Sequence, residues 1–138
     1  MAEVIRVDIC VIGAGSGGLS VAAGASLMGA RVVLIERAKM GGDCLNYGCV
    51  PSKALLAAAH AAESQRTSGR FGIAAYQPEV DFTAVRDHVH GVIAAIAPQD
   101  SVERFEGLGV QVIQAPATFT ARRQIEAGEY RIRAKYFV

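Results

Sequence analysis

The sequence predicts an α/β fold built around parallel strands, and three features support this prediction. Val7 to Ile12 is a short, largely β-branched run typical of a buried strand. A glycine-rich turn at residues 13–18 follows it at once, and residues 31–36 form a second run of the same kind. A strand, a turn, a helix and another strand make a βαβ unit, whose strands lie parallel. We therefore expect residues 4–36 to begin a parallel sheet.

The next elements follow from small, apolar and helix-forming residues. Residues 19–28 are small or apolar, which suits a helix packed closely on a sheet, and Gly29 ends that helix. Residues 38–50 contain three glycines and are expected to form a loop. Pro51 is compatible with the first turn of a helix, and residues 54–63 have strong helix propensity.

The second half of the chain predicts one amphipathic helix and a small antiparallel β-meander. Glycine and proline in residues 67–80 indicate a surface connection, after which Asp81 can cap a helix. The apolar positions of that helix recur at three- and four-residue steps: Phe82, Val85, Val89, Val92, Ile93 and Ile96. Pro98 interrupts it, and a further turn is expected at residues 101–106. The predicted strands are 110–113, 118–121, 124–126 and 130–138, with a turn at Ala127-Gly128 between the last two.

Composition and charge exclude several classes of protein. The 138 residues are 51% hydrophobic and 20% charged with a net charge of +1, which fits one globular domain or part of one. This balance indicates neither nucleic-acid binding nor a polybasic membrane anchor. No apolar run is long enough to span a membrane, and Asp8 with the glycine cluster does not suit a signal peptide. We therefore expect a cytoplasmic protein. Three cysteines are also too few for a fold that depends on a disulfide scaffold.

The glycine turn has the spacing and context of a dinucleotide-binding loop. Gly13-x-Gly15-x-x-Gly18 follows a strand and begins a helix. Gly15 lets the backbone approach a pyrophosphate, and Gly18 lets the helix pack closely on the strand. Glu36 ends the second strand, 18 positions after Gly18, where a carboxylate can hold ribose hydroxyls. This motif favours a nucleotide without a 2′-phosphate and does not distinguish NAD from FAD.

Cys44 and Cys49 form a C-x4-C pair. Residues five apart on a regular helix have Cα atoms roughly 8.6 Å apart, whereas a disulfide needs about 4.4–6.8 Å. A bonded pair would therefore require an irregular segment, for which Gly48 and Pro51 give reasons. A zinc site, a structural disulfide and two unrelated thiols are alternatives. A redox-active pair beside a dinucleotide explains more of the residues.

Residues 41–53, Gly-Gly-Asp-Cys-Leu-Asn-Tyr-Gly-Cys-Val-Pro-Ser-Lys, resemble the active-site signature of the pyridine nucleotide–disulfide oxidoreductases. The similarity extends along essentially the whole chain. Asp43, where the family commonly has Thr, and Tyr47 depart from the pattern. Residues 50–53 are more similar to dihydrolipoamide dehydrogenase and mercuric reductase than to glutathione reductase.

The resemblance implies a Rossmann-like FAD-binding domain. Cys49 would face the flavin as the charge-transfer thiol, Cys44 would exchange with substrate, and Lys53 would lie near the flavin N5. These three are the candidate catalytic residues. The candidate cofactor-binding residues are Gly13, Gly15, Ser16, Gly17, Gly18, Glu36, Arg37, Gly42, Asp43, Lys53 and Ala117.

The resemblance also implies an activity and partners. We expect an FAD- and NAD-dependent, homodimeric disulfide oxidoreductase, foremost a dihydrolipoamide dehydrogenase, acting on a small dithiol or disulfide or on a lipoyl protein. A mercuric reductase-like enzyme and an inert FAD-binding fragment are the alternatives. Because no second glycine motif is present, residues 1–138 are expected to be the N-terminal part of the FAD-binding domain, without the NAD-binding and dimerisation domains. His60, His88 and His90 are expected to be structural, and no metal site is expected.

Overall fold

The computed structural model of the chain describes residues 3–138, which form a six-stranded mixed sheet flanked by helices. The strands are β1 (Glu3–Ile12), β2 (Val32–Glu36), β3 (Gln111–Gln114), β4 (Ala117–Ala121), β5 (Gln124–Ala127) and β6 (Tyr130–Phe137). The helices are α1 (Ser16–Leu27), α2 (Gly42–Asn46), α3 (Cys49–Thr67), α4 (Phe82–Ile96) and α5 (Val102–Gly107). Short 3-10 turns follow α3 at Ser68–Phe71 and α4 at Ala97–Asp100.

The sheet confirms the predicted α/β fold, with a parallel part and an antiparallel part. Its strand order is β3-β2-β1-β6-β5-β4. The first four of these strands are mutually parallel, while β5 pairs antiparallel with both β6 and β4. The parallel strands are Rossmann-like, and the last three strands form the predicted meander. Strand β1 lies between β2 and β6, so the loop after β1 leaves the sheet where the chain order changes direction.

The two faces of the sheet have separate apolar cores. All five residues of β2 are buried, because Val32 and Leu34 face one core while Val33 and Ile35 face the other. Burial on both faces is typical of a parallel strand inside an α/β sheet. One core contains Leu19 of α1 together with Val11, Ala14, Ala22, Val32, Leu34, Phe105 and Val110. The other contains Val7, Cys10, Val33, Ile35, Ile113, Ile125, Ala127, Ile132 and Ala134.

Several predicted boundaries were wrong, mostly where distant segments meet. Strand β1 begins at Glu3 rather than Val7, because Glu3 to Val7 pair with β6. Helix α2 lies inside the predicted loop 38–50, and α3 extends well beyond residues 54–63. Helix α1 begins at Ser16 rather than Leu19.

The last hairpin turn is also shifted by one residue. Ala127 remains in β5 and pairs with Tyr130, so the two turn residues are Gly128 and Glu129. By contrast, the predicted helix after Asp81 is confirmed as α4. The Asp81 carboxylate caps this helix by accepting hydrogen bonds from the Thr83 and Ala84 amides.

Gly18 provides a test of how closely α1 packs on the sheet. A Cβ at this position would lie 1.9 Å from the Gly13 carbonyl oxygen and 3.2 Å from Cγ1 of Val11. Because backbone must move to make room, we expect Gly18→Ala to lower the free energy of unfolding by about 1–3 kcal/mol. Urea denaturation measures this change.

Gly24→Ala is the matched control in the same helix. A Cβ at Gly24 meets nothing within 4 Å, so this variant should gain about 0.5–1 kcal/mol from better helix propensity. Equal effects of the two substitutions would contradict the close packing of Gly18.

Candidate functional site

The glycine turn after β1 leaves an anion-binding helix terminus open. Gly15 is the N-cap of α1, and no side chain caps this helix or places a carboxylate in its first turn. Its first backbone amides therefore lack the side-chain acceptors that usually satisfy them. A Cβ at Gly13, Gly15 or Gly17 would meet nothing within 4 Å, so there is space in front of the turn. The arrangement suits a phosphate group, which helix dipole and amides would both stabilise.

Glu36 is a buried carboxylate that joins two loops. Its side chain accepts a hydrogen bond from the Ala14 amide at 2.7 Å and one from the Ala38 amide at 2.7 Å. The residue is only 8% exposed, so these bonds compensate much of the cost of burying its charge. A carboxylate has about four acceptor positions, so Glu36 retains capacity for ribose hydroxyls.

Four of the predicted cofactor-binding residues line one cavity of about 330 Å³. They are Gly13, Glu36, Arg37 and Ala117. The remaining lining residues are Ile12, Ile35, Ala115 and Pro116, which give the cavity apolar walls beside its single carboxylate. Apolar walls with a few polar groups are typical of small-ligand sites. This cavity adjoins the glycine turn and has room for a nucleoside.

The cysteine segment is held directly against the glycine turn. The Gly41 amide donates a hydrogen bond to the Ala14 carbonyl oxygen at 2.9 Å. A Cβ on Gly42, whose φ is +57°, would lie 2.7 Å from the Gly15 Cα. Only glycine allows this backbone approach without displacement. The contact fixes where α2 begins relative to the proposed phosphate position, and it therefore also fixes where Cys44 lies.

Asn46 is a functional candidate that sequence reasoning missed. Its side-chain amide donates to the Met40 carbonyl oxygen at 3.0 Å and to the Gly42 carbonyl oxygen at 2.9 Å. These bonds hold the turn before α2 in shape and so position Cys44. The position of Asn46 between the two cysteines could have indicated this role, because asparagine side chains often form hydrogen bonds with nearby backbone groups.

The segment between the cysteines is irregular, as a closable C-x4-C pair requires. Cys44 lies in α2 and Cys49 begins α3, while Gly48 between the helices has φ −120° and ψ −105°. Both side chains are free thiols in the structure, Cys44 half-buried and Cys49 exposed. The Cys49 thiol is the neighbour that most influences the Cys44 thiol. The structure thus confirms the predicted break in the helix.

The thiol of Cys44 titrates under the influence of its neighbour. Its hydrogen bond with the Cys49 thiol raises the pKa of Cys44, and burial and the charge of Cys49 add to this. The Cys49 backbone amide and the Lys53 ammonium act in the opposite direction and lower that pKa. Lys53 lies one helical turn after Cys49 on the same face of α3.

The other candidates occupy the surroundings of the pair. Ser16 and Cys44 both line a cavity of about 430 Å³ between α1 and α5. Asp43 is exposed in the first turn of α2. Tyr47 is 69% exposed, and the Lys39 ammonium lies 5.5 Å from its ring centroid.

The remaining predicted roles concern metals, histidines and membranes. Within residues 3–138, no three His, Cys, Asp or Glu side chains are grouped as a metal ion would require. His60 is exposed on α3, and His88 and His90 are exposed on α4. None of the helices in the described part of the chain is long and apolar enough to cross a membrane.

Comparison with known proteins gives a consistent family. The family described as pyridine nucleotide-disulphide oxidoreductase matches residues 7–138. A mercuric reductase of Streptomyces lividans is 37% identical over 120 residues, which cover 86% of this chain and 25% of that relative. A dihydrolipoyl dehydrogenase of Bacillus subtilis (strain 168) is 45% identical over 89 residues, 64% of this chain and 19% of the relative.

A second dihydrolipoyl dehydrogenase, from Geobacillus stearothermophilus, is 35% identical over 116 residues, which cover 83% of this chain and 24% of the relative. The chain therefore spans about a quarter or less of the length of these curated relatives.

Thiol alkylation tests the coupling of the cysteine pair. In the reduced chain at about pH 8, just below the ordinary thiol pKa, Cys49→Ala should raise the rate at which iodoacetamide modifies Cys44 severalfold. The substitution removes the thiol that raises the pKa of Cys44 and keeps the backbone amide that lowers it. More Cys44 is then thiolate, which is the reactive form. Mass spectrometry at timed intervals gives the rate.

Cys10 is the internal control for this experiment. Its side chain is fully buried, and burial raises the pKa of its thiol to about 12. It should be modified only after the chain is unfolded. An unchanged Cys44 rate in Cys49→Ala would show that the two thiols do not interact.

Proposed function

We propose that this chain, which belongs to the pyridine nucleotide-disulphide oxidoreductase family, is the amino-terminal part of the FAD-binding domain of a dihydrolipoamide dehydrogenase-like enzyme. The family uses FAD and NAD(P). The observation that carries the proposal is the backbone contact between the glycine turn and the cysteine segment. It joins a nucleotide-binding feature and a thiol pair in one structural unit.

The residues present fit FAD. The uncapped amides of α1 would bind the pyrophosphate, and Glu36 would accept hydrogen bonds from the adenosine ribose. Gly13, Arg37 and Ala117 would surround the adenosine in the cavity beside Glu36. Bound FAD would supply two-electron transfer between a nicotinamide and a disulfide. Lys53 would provide a positive charge one helical turn from Cys49.

The thiol pair would exchange electrons with a dithiol substrate by two displacements. With Cys44 and Cys49 joined as a disulfide, a substrate thiolate attacks the Cys44 sulfur, and the Cys49 sulfur leaves as a thiolate. The second substrate thiolate then displaces the Cys44 sulfur. The substrate leaves as a disulfide, and the cysteine pair, now reduced to two thiols, has accepted the two electrons that the substrate lost. Cys44 would need a proton donor and acceptor during this exchange, since its pKa is raised.

The substrate that we propose for the intact enzyme is a lipoyl group, either free or attached to a protein. The enzyme itself is proposed to be a cytoplasmic homodimer that also binds NAD. Two of the three relatives described above are dihydrolipoyl dehydrogenases. A mercuric reductase-like activity is the second candidate, because the Streptomyces lividans relative aligns with more of this chain. Two neighbouring thiols are also suitable ligands for a soft metal ion.

Cys44→Ser in the intact protein tests the assignment of the exchange thiol. We expect NADH-dependent reduction of lipoamide to fall by at least about a thousandfold, a loss of about 4 kcal/mol of transition-state stabilisation, while the flavin absorbance remains. Cys10→Ala removes a thiol outside the pair and should retain most activity. Loss of flavin in Cys44→Ser would indicate a binding role instead. Reduction of Hg²⁺ in preference to lipoamide by the unsubstituted protein would favour the second candidate.

The 138-residue chain alone is proposed to lack turnover. It would hold the thiol pair and part of the FAD site, whereas reduction by NADH also requires a nicotinamide site. An assay of the chain with FAD, NADH and lipoamide distinguishes an enzyme from an inert cofactor-binding fragment. Measurable reduction would contradict the fragment assignment.

A further inference from the structure

Gly48 lies between the two helices that carry the cysteines. Helix α2 ends at Asn46, and α3 begins at Cys49. The connection between them is the dipeptide Tyr47-Gly48. On one continuous helix the Cα atoms of Cys44 and Cys49 would be roughly 8.6 Å apart, which is beyond the span of a disulfide. The break between the helices is therefore a condition for closing the pair.

The backbone of Gly48 packs against α2 and leaves little room for a side chain. A Cβ on Gly48 would lie 3.1 Å from the Asp43 carbonyl oxygen and 3.7 Å from the Cys44 Cα. The first of these distances is closer than an ordinary van der Waals contact. Any residue other than glycine would therefore displace one of the two backbones by a few tenths of an ångström.

Helix α2 is fixed to the glycine turn and to the core, so it does not yield easily. Its first residue, Gly42, lies against the Gly15 backbone, where a Cβ on Gly42 would be 2.7 Å from the Gly15 Cα. Leu45 in the same helix is only 3% exposed. A Cβ on Gly48 would therefore shift the start of α3. Cys49, the next residue along the chain, would move away from α2 with it.

A disulfide is less tolerant of such a shift than a pair of thiols. The S–S bond is about 2.05 Å long and joins Cβ atoms that are about 3.8 Å apart, whereas two thiols have no fixed separation. A small displacement of one backbone therefore costs more free energy in the oxidised pair than in the reduced pair. The reduction potential compares these two forms, so the displacement changes that potential.

The influence of Cys49 on Cys44 also indicates that the start of α3 lies close to α2. The Cys49 thiol is the main cause of the raised pKa of Cys44, and the Cys49 backbone amide acts on the same thiol in the opposite direction. Both groups belong to the first residue of α3, which directly follows Gly48. The start of α3 thus acts on Cys44 through its backbone as well as through its side chain.

We propose that Gly48 is a positioning residue that sets the reduction potential of the Cys44–Cys49 pair, because its missing side chain lets the start of α3 approach α2. This inference rests on the proposed function, in which the pair alternates between two thiols and a disulfide. A side chain at position 48 would destabilise the disulfide and make the potential less negative. The reduced pair would then be a weaker electron donor.

The test measures the equilibrium of the pair with glutathione in the full 138-residue chain. Oxidised glutathione takes two electrons and two protons from Cys44 and Cys49, which form the disulfide, and becomes two molecules of reduced glutathione. Acid quenching, alkylation and mass spectrometry give the oxidised fraction at each glutathione ratio. Gly48→Ala should lower the equilibrium constant for disulfide formation about tenfold, which makes the potential of the pair about 30 mV less negative.

Gly91→Ala is the matched control. A Cβ on Gly91, which lies in α4, meets nothing within 4 Å. The same substitution at this position should therefore leave the equilibrium constant unchanged. An equal decrease in Gly91→Ala would overturn the assignment of the effect to the contact at Gly48.

Circular dichroism of the reduced chains separates an effect on the pair from an effect on the fold. Reduced Gly48→Ala should keep the helix content of the unsubstituted chain, and a loss of helix would overturn the proposal. An unchanged equilibrium constant in Gly48→Ala would overturn this inference and leave the proposed function in place. If the unsubstituted chain formed no disulfide at any glutathione ratio, the proposed function would fail, and this inference would fail with it.

Discussion

The candidate site depends on the backbone contact between two glycine turns, at Gly15 and at Gly42. This approach leaves no room for a side chain on Gly42, and the adjacent Gly41 amide bonds to the Ala14 carbonyl oxygen. Since α2 begins at Gly42, the contact determines where Cys44 lies relative to the start of α1. The segment that carries Cys44 is thereby positioned by backbone atoms, which move less than side chains.

Glu36 extends this constraint to the second strand. It is the one buried charged residue among residues 3–138, and its carboxylate is satisfied by the Ala14 and Ala38 amides. Ala14 therefore donates to Glu36 through its amide and accepts from Gly41 through its carbonyl oxygen. Glu36, the glycine turn after β1 and the cysteine segment therefore form one hydrogen-bonded series. Displacement of one member would be expected to disturb the others, because buried polar networks are costly to leave unsatisfied.

The sequence was sufficient to predict those parts of the structure that are determined by residues close together in the chain. The β1–α1–β2 unit, the Asp81 cap and the break between the cysteines all follow from residues close in the chain. It was insufficient to predict features that depend on contacts between distant segments of the chain. The pairing of residues 3–7 with β6, the role of Asn46 and the approach of Gly42 to Gly15 each depend on contacts between separate parts of the chain. Helix α2 was missed because Gly41 and Gly42 at its start suggest a loop, while its stability comes from Asn46 and from the contact with the glycine turn after β1.

Flavin fluorescence titration of Gly42→Ala tests the backbone contact most directly. Gly72→Ala is its control, because both glycines have positive φ values, +57° and +77°, but a Cβ on Gly72 meets nothing within 4 Å. Both substitutions strain the backbone, and only that at Gly42 pushes the cysteine segment away from Gly15. We expect Gly42→Ala to bind FAD at least about tenfold more weakly than Gly72→Ala, a difference of about 1.4 kcal/mol. Equal affinities would contradict the account.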